Sequence, residues 1–240
     1  MMYLPRWSVI YFVCLAMSNA LLMANETATD SSNRTALKIF IESLDATQKA
    51  IPQDRRELLE DAATKIRSTQ TDRGSVELVF VCTHNSRRSQ LAQIWAAIAA
   101  EQIGLTSVRS FSCGTEATAC NARTIAVLNR AGLGFNKTGD DSNPVYQLVD
   151  DKRSQKVELF SKVFDHPSLP KDGFIALMCC DHADKNCPVV QGASQRISLW
   201  YVDPKVSDDR PDEAIVYDER CRQIAAEMFL MMQYVATDRF

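Results

Sequence analysis

The sequence predicts an α/β domain built on a parallel sheet, because short apolar segments alternate with helical patterns along most of the chain. The chain has 240 residues, of which 46% are hydrophobic and 24% are charged. This length and composition suit one α/β domain with an extension and argue against wholesale disorder. The net charge is −3 and no dense run of Lys or Arg indicates a nucleic-acid-binding face. An anionic ligand must therefore be held by a local group of donors and not by the overall charge of the protein.

The N-terminal residues differ in composition from the rest of the chain. Residues 1–20 contain an apolar run followed by a small-x-small sequence, which is typical of a secretory signal peptide. This interpretation predicts an exported protein, periplasmic or secreted, whereas a true start at Met23 predicts a cytoplasmic one. The polar residues 21–35 are predicted to form a linker. Since the apolar run is short for a membrane span, no stable membrane insertion is expected after removal of the signal.

Periodicity assigns the remaining elements. Residues 36–74 have helical spacing and are predicted to form a short helical extension that packs as a scaffold and has no catalytic part. Residues 75–240 are predicted to form the main domain, which starts with a buried strand near Val76. Residues 134–156 are polar and fit neither pattern. Further strands are predicted at 108–112, 157–163, 174–180 and 197–202, and helices at 89–102, 121–133 and 212–235. This alternation implies a parallel sheet covered on both faces.

The strongest chemical motif is Cys-Thr-His-Asn-Ser-Arg-Arg-Ser at residues 82–89. It lies where a predicted strand ends and a helix begins, which is the edge of a parallel sheet at which ligands bind. The loop N–H groups and the helix N-terminus form an anion cradle, and Arg88 offers a planar fork to two oxygens. The same positive surroundings favour the thiolate of Cys82, and Ser89 can hydrogen-bond it. The motif thus predicts a Cys nucleophile aimed at a tetrahedral oxyanion, phosphate-like or arsenate.

The alternative interpretation is a buried structural Cys82 beside a surface Arg88. Arg87, taken singly, is interpreted as a solvated or gating charge. The residues predicted to surround the oxyanion are Thr83, His84, Asn85, Ser86, Arg87, Arg88 and Ser89.

This loop, the Ser-x-Gly-Thr-Glu segment at 112–116 and the Asp-Pro at 203–204 resemble the low-molecular-weight tyrosine phosphatase superfamily, and within it the thioredoxin-coupled arsenate reductases. The resemblance covers roughly residues 76–236 and implies a four-stranded parallel sheet with helices on both faces. The residue roles that it implies are a nucleophile at Cys82, a clamp at Arg88, a loop brace at Asn85, a thiolate-stabilising hydroxyl at Ser89 and a general acid at Asp203. The family usually has Gly where this chain has His84, and a His at a positive φ would be strained.

Asp203 follows a predicted strand and precedes the rigid Pro204. A protonated carboxyl there can protonate a leaving oxygen. Alone, an Asp-Pro pair indicates only a turn, but beside the Cys loop the acid role is favoured.

A second pair of sulfurs follows the predicted strand 174–180, at the same edge of the sheet as Cys82. Cys180 and Cys187 permit a relay in which Cys180 attacks the Cys82 sulfur, arsenite leaves, and a Cys180–Cys187 disulfide forms. The six-residue spacer resembles the redox pair of thioredoxin-coupled arsenate reductases. No bound cofactor is expected, and an external, thioredoxin-like dithiol must reset the pair.

Two alternatives compete with the relay. The first is purely structural cysteines, the role assigned by default to the other cysteines of the main domain. The second is a zinc site, which the spacing disfavours, so that no metal site is predicted. Its ligands would be Cys180, His182, Asp184 and Cys187.

Three functions remain open from the sequence. The first is an arsenate reductase, and the second is a phosphomonoesterase that works through a phosphocysteine, as in tyrosine phosphatases. The third is a non-catalytic module that senses anions. Family phosphatases tend to carry aromatic residues after the Asp-Pro, where this chain has Lys205 and Val206. The expected partners are a small oxyanion or phosphomonoester and, for the reductase, thioredoxin.

Overall fold

A computed structural model describes residues 32–149, 156–186 and 189–237. The predicted signal segment 1–20 and most of the predicted linker 21–35 lie outside these ranges, but residues 32–35 are already helical. In chain order the elements are α1 (32–42), α2 (Leu44–Lys49), α3 (Gln53–Arg73), β1 (Val76–Cys82), α4 (Arg88–Ile103), β2 (Val108–Gly114), α5 (Ala122–Arg130), β3 (Phe135–Thr138), β4 (Val145–Leu148), β5 (Glu158–Leu159), β6 (Phe174–Met178), α6 (Asp181–Asn186), β7 (Ala193–Ser198), a 3-10 turn (Pro204–Ser207) and α7 (Glu213–Ala236). No helix within the described ranges is both long enough and apolar enough to cross a membrane.

The main sheet is parallel and has the strand order β2-β1-β6-β7. Every residue of β1 except Glu77 is buried, as expected for a central parallel strand rich in Val and Phe. This four-stranded sheet, with helices around it and a helical region before it, confirms the predicted fold class. Because β1 pairs with β2 on one side and with β6 on the other, its carboxyl end lies at the topological switch point of the sheet. Ligands bind at that point in open α/β sheets.

The structure differs from the prediction beyond Leu133. Residues 135–148 form two strands that join β5 in a small antiparallel sheet, and their short length and exposure hid them from pattern analysis. The strand predicted at 157–163 is wrong for most of its length, because only two residues pair in β5 and Val163 makes an isolated bridge. The strand predicted at 197–202 is β7, shifted toward the N-terminus.

The helical extension packs directly on the main domain. Helices α2 and α3 lie against α7, and buried side chains such as Leu59 and Ile66 join the same hydrophobic core as β1. The ring of Phe40 on α1 stacks on Trp95 of α4 with centroids 4.9 Å apart. The extension therefore covers apolar surface that the main domain would otherwise expose to water.

Gly132 allows α1 to cross close to the end of α5. Its φ is +92°, and a Cβ there would lie 2.7 Å from the Asn33 carbonyl and closer still to the Leu37 N–H. Both the backbone angle and the contact require a residue without a side chain.

We expect Gly132→Ala to lower the free energy of unfolding by roughly 1–3 kcal/mol more than Gly139→Ala. Gly139 shares the positive φ, at +82°, but a Cβ there meets nothing nearer than 3.8 Å, so it controls for backbone strain alone. Urea denaturation of both variants measures the difference. Equal losses would show that α1 does not press on Gly132.

Lys162 is a buried charge in the segment that follows β5. It is 4% exposed, and its ammonium donates to the Phe160 carbonyl at 3.3 Å and lies over the Phe160 ring. Burial lowers the pKa of Lys162 from 10.5 to about 8, although the neighbouring thiols of Cys113 and Cys120 act in the opposite direction.

Burial of Lys162 predicts a pH-dependent decrease in the free energy of unfolding, which Lys162→Met removes. Between about pH 8 and 10.5 the unfolded chain holds a proton at Lys162 that the folded chain has lost, so wild-type stability rises with pH in that window. Relative to Lys162→Met, the wild type should gain about 3 kcal/mol in free energy of unfolding from pH 7 to pH 10. Urea denaturation across that range checks this. A difference between the two proteins that does not change with pH would contradict it.

Candidate active site

The nucleophile candidate lies at the end of the central strand. We call residues 82–89 the Cys82 loop; it leaves β1 at Cys82 and enters α4 at Arg88. The Cys82 side chain is 3% exposed, and its Sγ lies 3.0 Å from Ser89 Oγ. Ser89 Oγ also accepts a hydrogen bond from Asn85 Nδ2 at 2.8 Å. Because Asn85 fills an acceptor position on this oxygen, the hydroxyl hydrogen is free to point at the sulfur.

Asn85 is the conformational pivot of the loop. Its φ is +45°, a region that Asn tolerates better than most residues. Its Oδ1 accepts the backbone N–H of Lys162 at 3.0 Å, so both ends of its amide are used. The expectation of backbone strain at His84 is wrong, because the positive φ lies one residue later, at Asn85. The His84 ring is 43% exposed and lies 3.4 Å from the Glu116 carboxylate at the rim of the loop.

The carbonyl groups of the loop are tied to the surrounding scaffold. The bonds are Glu116 N–H to Thr83 O at 2.9 Å, Ser161 Oγ to His84 O at 2.7 Å, Gln90 Nε2 to Asn85 O at 2.8 Å and Asn121 N–H to Ser86 O at 3.0 Å. Within the described ranges, the backbone N–H groups of residues 83–87 donate to no protein acceptor. Peptide units that direct their carbonyls outward in this way leave a concave array of N–H donors inside the loop, which is a site for an anion.

Gly114, at the end of β2, allows this close packing. A Cβ on Gly114 would lie 2.6 Å from the Thr83 carbonyl oxygen and 2.8 Å from the Asn85 nitrogen. Glycine is therefore required where β2 passes behind the loop.

The Arg88 guanidinium is held at two points and open at a third. Nη2 donates to Asp203 Oδ2 at 2.6 Å, and Nη1 donates to the Tyr201 carbonyl at 3.1 Å. Nε is buried and has no hydrogen-bond partner among the described residues. The side chain is 11% exposed, so this open donor lies out of bulk water. A buried, unpaired N–H is costly and fits a site that receives an anion oxygen.

Asp203, the residue predicted to be the general acid, lies next to the Arg88 guanidinium. Besides accepting from Arg88, its carboxylate accepts the Lys205 N–H at 3.1 Å and so caps the 3-10 turn that Pro204 begins. This cap fixes the carboxylate beside the guanidinium fork.

The interpretation of Arg87 as a solvated charge is wrong. Its side chain is 11% exposed, Nε donates to the Tyr217 hydroxyl at 2.6 Å, and Nη2 donates to Asp208 Oδ2 at 2.6 Å. The guanidinium is thus committed to α7 and to the turn before it, and Arg87 contributes to the cradle only through its backbone.

Cys180 lies beside the Cys82 loop. It comes two residues after Met178, which pairs with Val81, and its sulfur lies 3.5 Å from Thr83 Oγ1. Ala183 N–H donates to that sulfur at 3.3 Å. Cys187, the other half of the predicted relay, lies outside the described residues.

Two of the residues considered for zinc make other contacts. Asp184 Oδ2 accepts from Ser198 Oγ at 2.7 Å and from Trp200 Nε1 at 2.8 Å, while His182 Nδ1 lies 3.3 Å from Thr83 Oγ1. Among the described residues, no group of three or more His, Cys, Asp or Glu is placed to hold a metal ion.

Other cysteines of the main domain are deeply buried. Burial raises the pKa of Cys120 and of Cys221 to about 12, and raises that of Cys179 well above its ordinary value. Thiols in this state are poor nucleophiles at neutral pH, which favours the packing role expected for them.

Sequence reasoning missed several residues that support the loop. Ser161, Tyr201, Asp208 and Tyr217 lie between 77 and 130 positions from the loop residues that they contact. A single sequence carries no signal for such distant pairs.

Part of the chain resembles known proteins. Residues 77–148 match the family model "Low molecular weight phosphotyrosine protein phosphatase". A curated arsenate reductase of Staphylococcus aureus is 28% identical over 127 residues, which cover 53% of this chain and 77% of that protein. Arsenate reductase 2 of Staphylococcus epidermidis is 27% identical over the same length. A crystal structure of a YwlE mutant from Bacillus subtilis aligns with 66% of this chain and 97% of its own at a TM-score of 0.47 and 14% identity.

The family model covers the strand, the Cys82 loop and the helix that follows it. Proteins of this group, both the phosphatases and the arsenate reductases, are enzymes. We conclude that residues 77–148 resemble the low molecular weight phosphotyrosine protein phosphatase family, and that the chain is similar to curated arsenate reductases.

Proposed function

We propose that the protein is an arsenate reductase in which Cys82 attacks an oxyanion held by the Cys82 loop. The observation that carries the proposal is the set of open donors: among the described residues, the backbone N–H groups of residues 83–87 have no protein acceptor and the buried Nε of Arg88 has no partner. These donors match the several oxygens of a tetrahedral dianion better than they match a planar carboxylate. The curated relatives are arsenate reductases, which supports this substrate over others.

The first step forms a bond between sulfur and arsenic. The Cys82 thiolate attacks arsenate, and one arsenate oxygen leaves as water after taking up protons. Ser89 steadies the thiolate through its hydroxyl, and the Arg88 fork and the loop N–H groups balance the negative charge on the remaining oxygens. Asp203, which lies beside the fork, is the proposed donor of a proton to the leaving oxygen, after its carboxylate has taken up a proton from water.

The second step reduces arsenic. The Cys180 thiolate attacks the Cys82 sulfur, the pair of electrons in the sulfur–arsenic bond passes to arsenic, and arsenite leaves. Cys187 then displaces Cys82 and forms a disulfide with Cys180. An external dithiol of the thioredoxin type reduces that disulfide, which balances the two electrons that arsenate received. The contact between Cys180 and Thr83, at the start of the loop, supports Cys180 as the first attacking thiol.

A second candidate function is phosphomonoester hydrolysis at the same site. It is favoured by the position of Asp203, whose carboxylate is fixed at the guanidinium fork by Arg88 and by the Lys205 N–H. In this reaction Asp203 protonates the leaving alcohol, and water then hydrolyses the phosphocysteine at Cys82. The second and third cysteines have no part in it.

Cysteine variants separate the two functions. Cys82→Ser should abolish arsenate reduction and aryl-phosphate hydrolysis alike, because both begin at its sulfur. Cys180→Ser and Cys187→Ser should each lower arsenate turnover more than about 100-fold while leaving aryl-phosphate hydrolysis within about twofold. Cys221→Ala, which removes a buried thiol of α7, is the matched control. The assays measure arsenite release with a dithiol reductant and aryl-alcohol release without it.

Arsenate reduction that survives loss of Cys180 or Cys187 would contradict the relay. If the wild type hydrolyses aryl phosphates and reduces no arsenate, the second candidate replaces the first. A wild type with neither activity that still binds phosphate would support a non-catalytic anion sensor.

Gly114→Ala tests the cradle itself. The added Cβ collides with the Thr83 carbonyl and the Asn85 nitrogen, so the loop N–H groups must shift out of their arrangement. We expect the Kd for inorganic phosphate, measured by calorimetry, to rise at least about tenfold, since each charge-assisted hydrogen bond contributes on the order of 1.5–3 kcal/mol. Gly139→Ala, which lies outside the loop and its scaffold, should bind phosphate as the wild type does. Unchanged affinity in Gly114→Ala would show that the anion is held elsewhere.

A further inference from the structure

Behind Arg88 lies a buried cluster that connects it to the helical extension. Arg88 Nη1 donates to the carbonyl of Tyr201, and the Tyr201 side chain is 4% exposed. The guanidinium of Arg55, on α3, lies over the Tyr201 ring, with its Cζ 4.9 Å from the ring centroid. Arg55 thus reaches from the extension to the residue that holds Arg88.

Arg55 is itself locked in place. Its Nε and Nη2 donate to Glu227 Oε2 at 3.0 and 2.7 Å, and Glu227 Oε1 accepts from Gln223 Nε2 at 3.0 Å. The Glu227 side chain is 2% exposed, so the pair is out of water. Two hydrogen bonds to the same carboxylate oxygen restrict the planar guanidinium, which lies over the Tyr201 ring with its Cζ 4.9 Å from the centroid.

Among the described residues, both hydrogen-bond partners of the Arg88 guanidinium belong to one short segment, 201–203. Tyr201 is bonded to the sheet by its N–H, which donates to the Cys179 carbonyl at 3.0 Å. Val202 is 63% exposed, and Asp203 faces Arg88 at the protein surface, with 29% of its side chain exposed. Of these three side chains, only that of Tyr201 is buried in the core. The position of the segment therefore depends on what packs against the Tyr201 ring.

We propose that Arg55 is a positioning residue for Arg88: through the ring of Tyr201 it fixes segment 201–203, and thereby aims the open Nε of Arg88 at the bound oxyanion. The inference rests on the proposed function and extends it to the helical extension, which lies outside the region 77–148 that matches the family model. The effect is geometric, because Glu227 neutralises the charge of Arg55 within the cluster.

A test of the role of Arg55 needs a variant that removes its contact with the Tyr201 ring and still folds. Arg55→Met alone leaves Glu227 buried without a partner, and such a loss is strongly destabilising. The double variant Arg55→Met/Glu227→Met replaces the ion pair with apolar groups of similar length, an exchange that proteins tolerate. Tyr201→Leu is a second, independent variant, because it removes the ring and leaves the ion pair intact.

The matched control is Arg67→Met. Arg67 also lies on α3 and also joins it to the α7 region, where it donates to the carbonyls of Tyr234 at 2.9 Å and Thr237 at 2.6 Å. Its hydrogen bonds among the described residues do not involve Tyr201. Loss of Arg67 therefore reports what loosening of the interface between the extension and α7 does by itself.

We expect the Kd for inorganic phosphate, measured well below the melting temperature, to rise about tenfold in the double variant and in Tyr201→Leu. It should stay within twofold of the wild type in Arg67→Met. In steady-state assays with arsenate, KM should carry most of the loss and kcat should change little, since the cysteines are untouched.

Wild-type phosphate affinity in a folded double variant, or in Tyr201→Leu, would overturn the inference while leaving the proposed function in place. An equal loss in Arg67→Met would overturn it too, because it would reduce the effect to general loosening. A wild-type protein that binds no phosphate would instead overturn the proposed function, and this inference with it.

Discussion

The site depends on one constraint: the carbonyl oxygens of the Cys82 loop are hydrogen-bonded to the scaffold around it. Donors from Glu116, Ser161, Gln90 and Asn121 come from four different parts of the chain, and each holds a different peptide unit. Because a peptide unit cannot turn its carbonyl without turning its N–H, these bonds set the direction of the donors inside the loop. The direction of the loop N–H groups is therefore set in advance by groups that lie outside the loop.

The side chains of the loop divide into two groups on the same principle. Asn85 and Ser89 are fully buried and hold the loop and the sulfur, while Arg87 ties the loop to Asp208 and Tyr217. Arg88 alone combines a structural role with an open donor. Its neighbour Arg87 is also an arginine but has a structural role alone. The difference comes from the hydrogen-bond partners of the two side chains, not from the residue type.

Local patterns predicted the parts of the fold that are local. Strand β1 and helix α4 were predicted within two residues because hydrophobic periodicity is a property of neighbouring residues. The position of Cys82 at a strand end followed from the same pattern. The roles of Arg87 and Tyr201 could not be predicted, because they depend on partners far along the chain. Strands β3 and β4 were missed because four-residue, mostly exposed strands leave little hydrophobic signal.

A cradle made of peptide N–H groups has a consequence for how such a loop tolerates change. Every amino acid except proline supplies the same donor, so the exposed residue His84 can vary in side chain without altering the number of N–H groups in the loop. Variation at this position changes the rim beside Glu116 and leaves the backbone donors as they are. Selectivity among bulky substrates and affinity for the anionic group can thus evolve independently in this architecture.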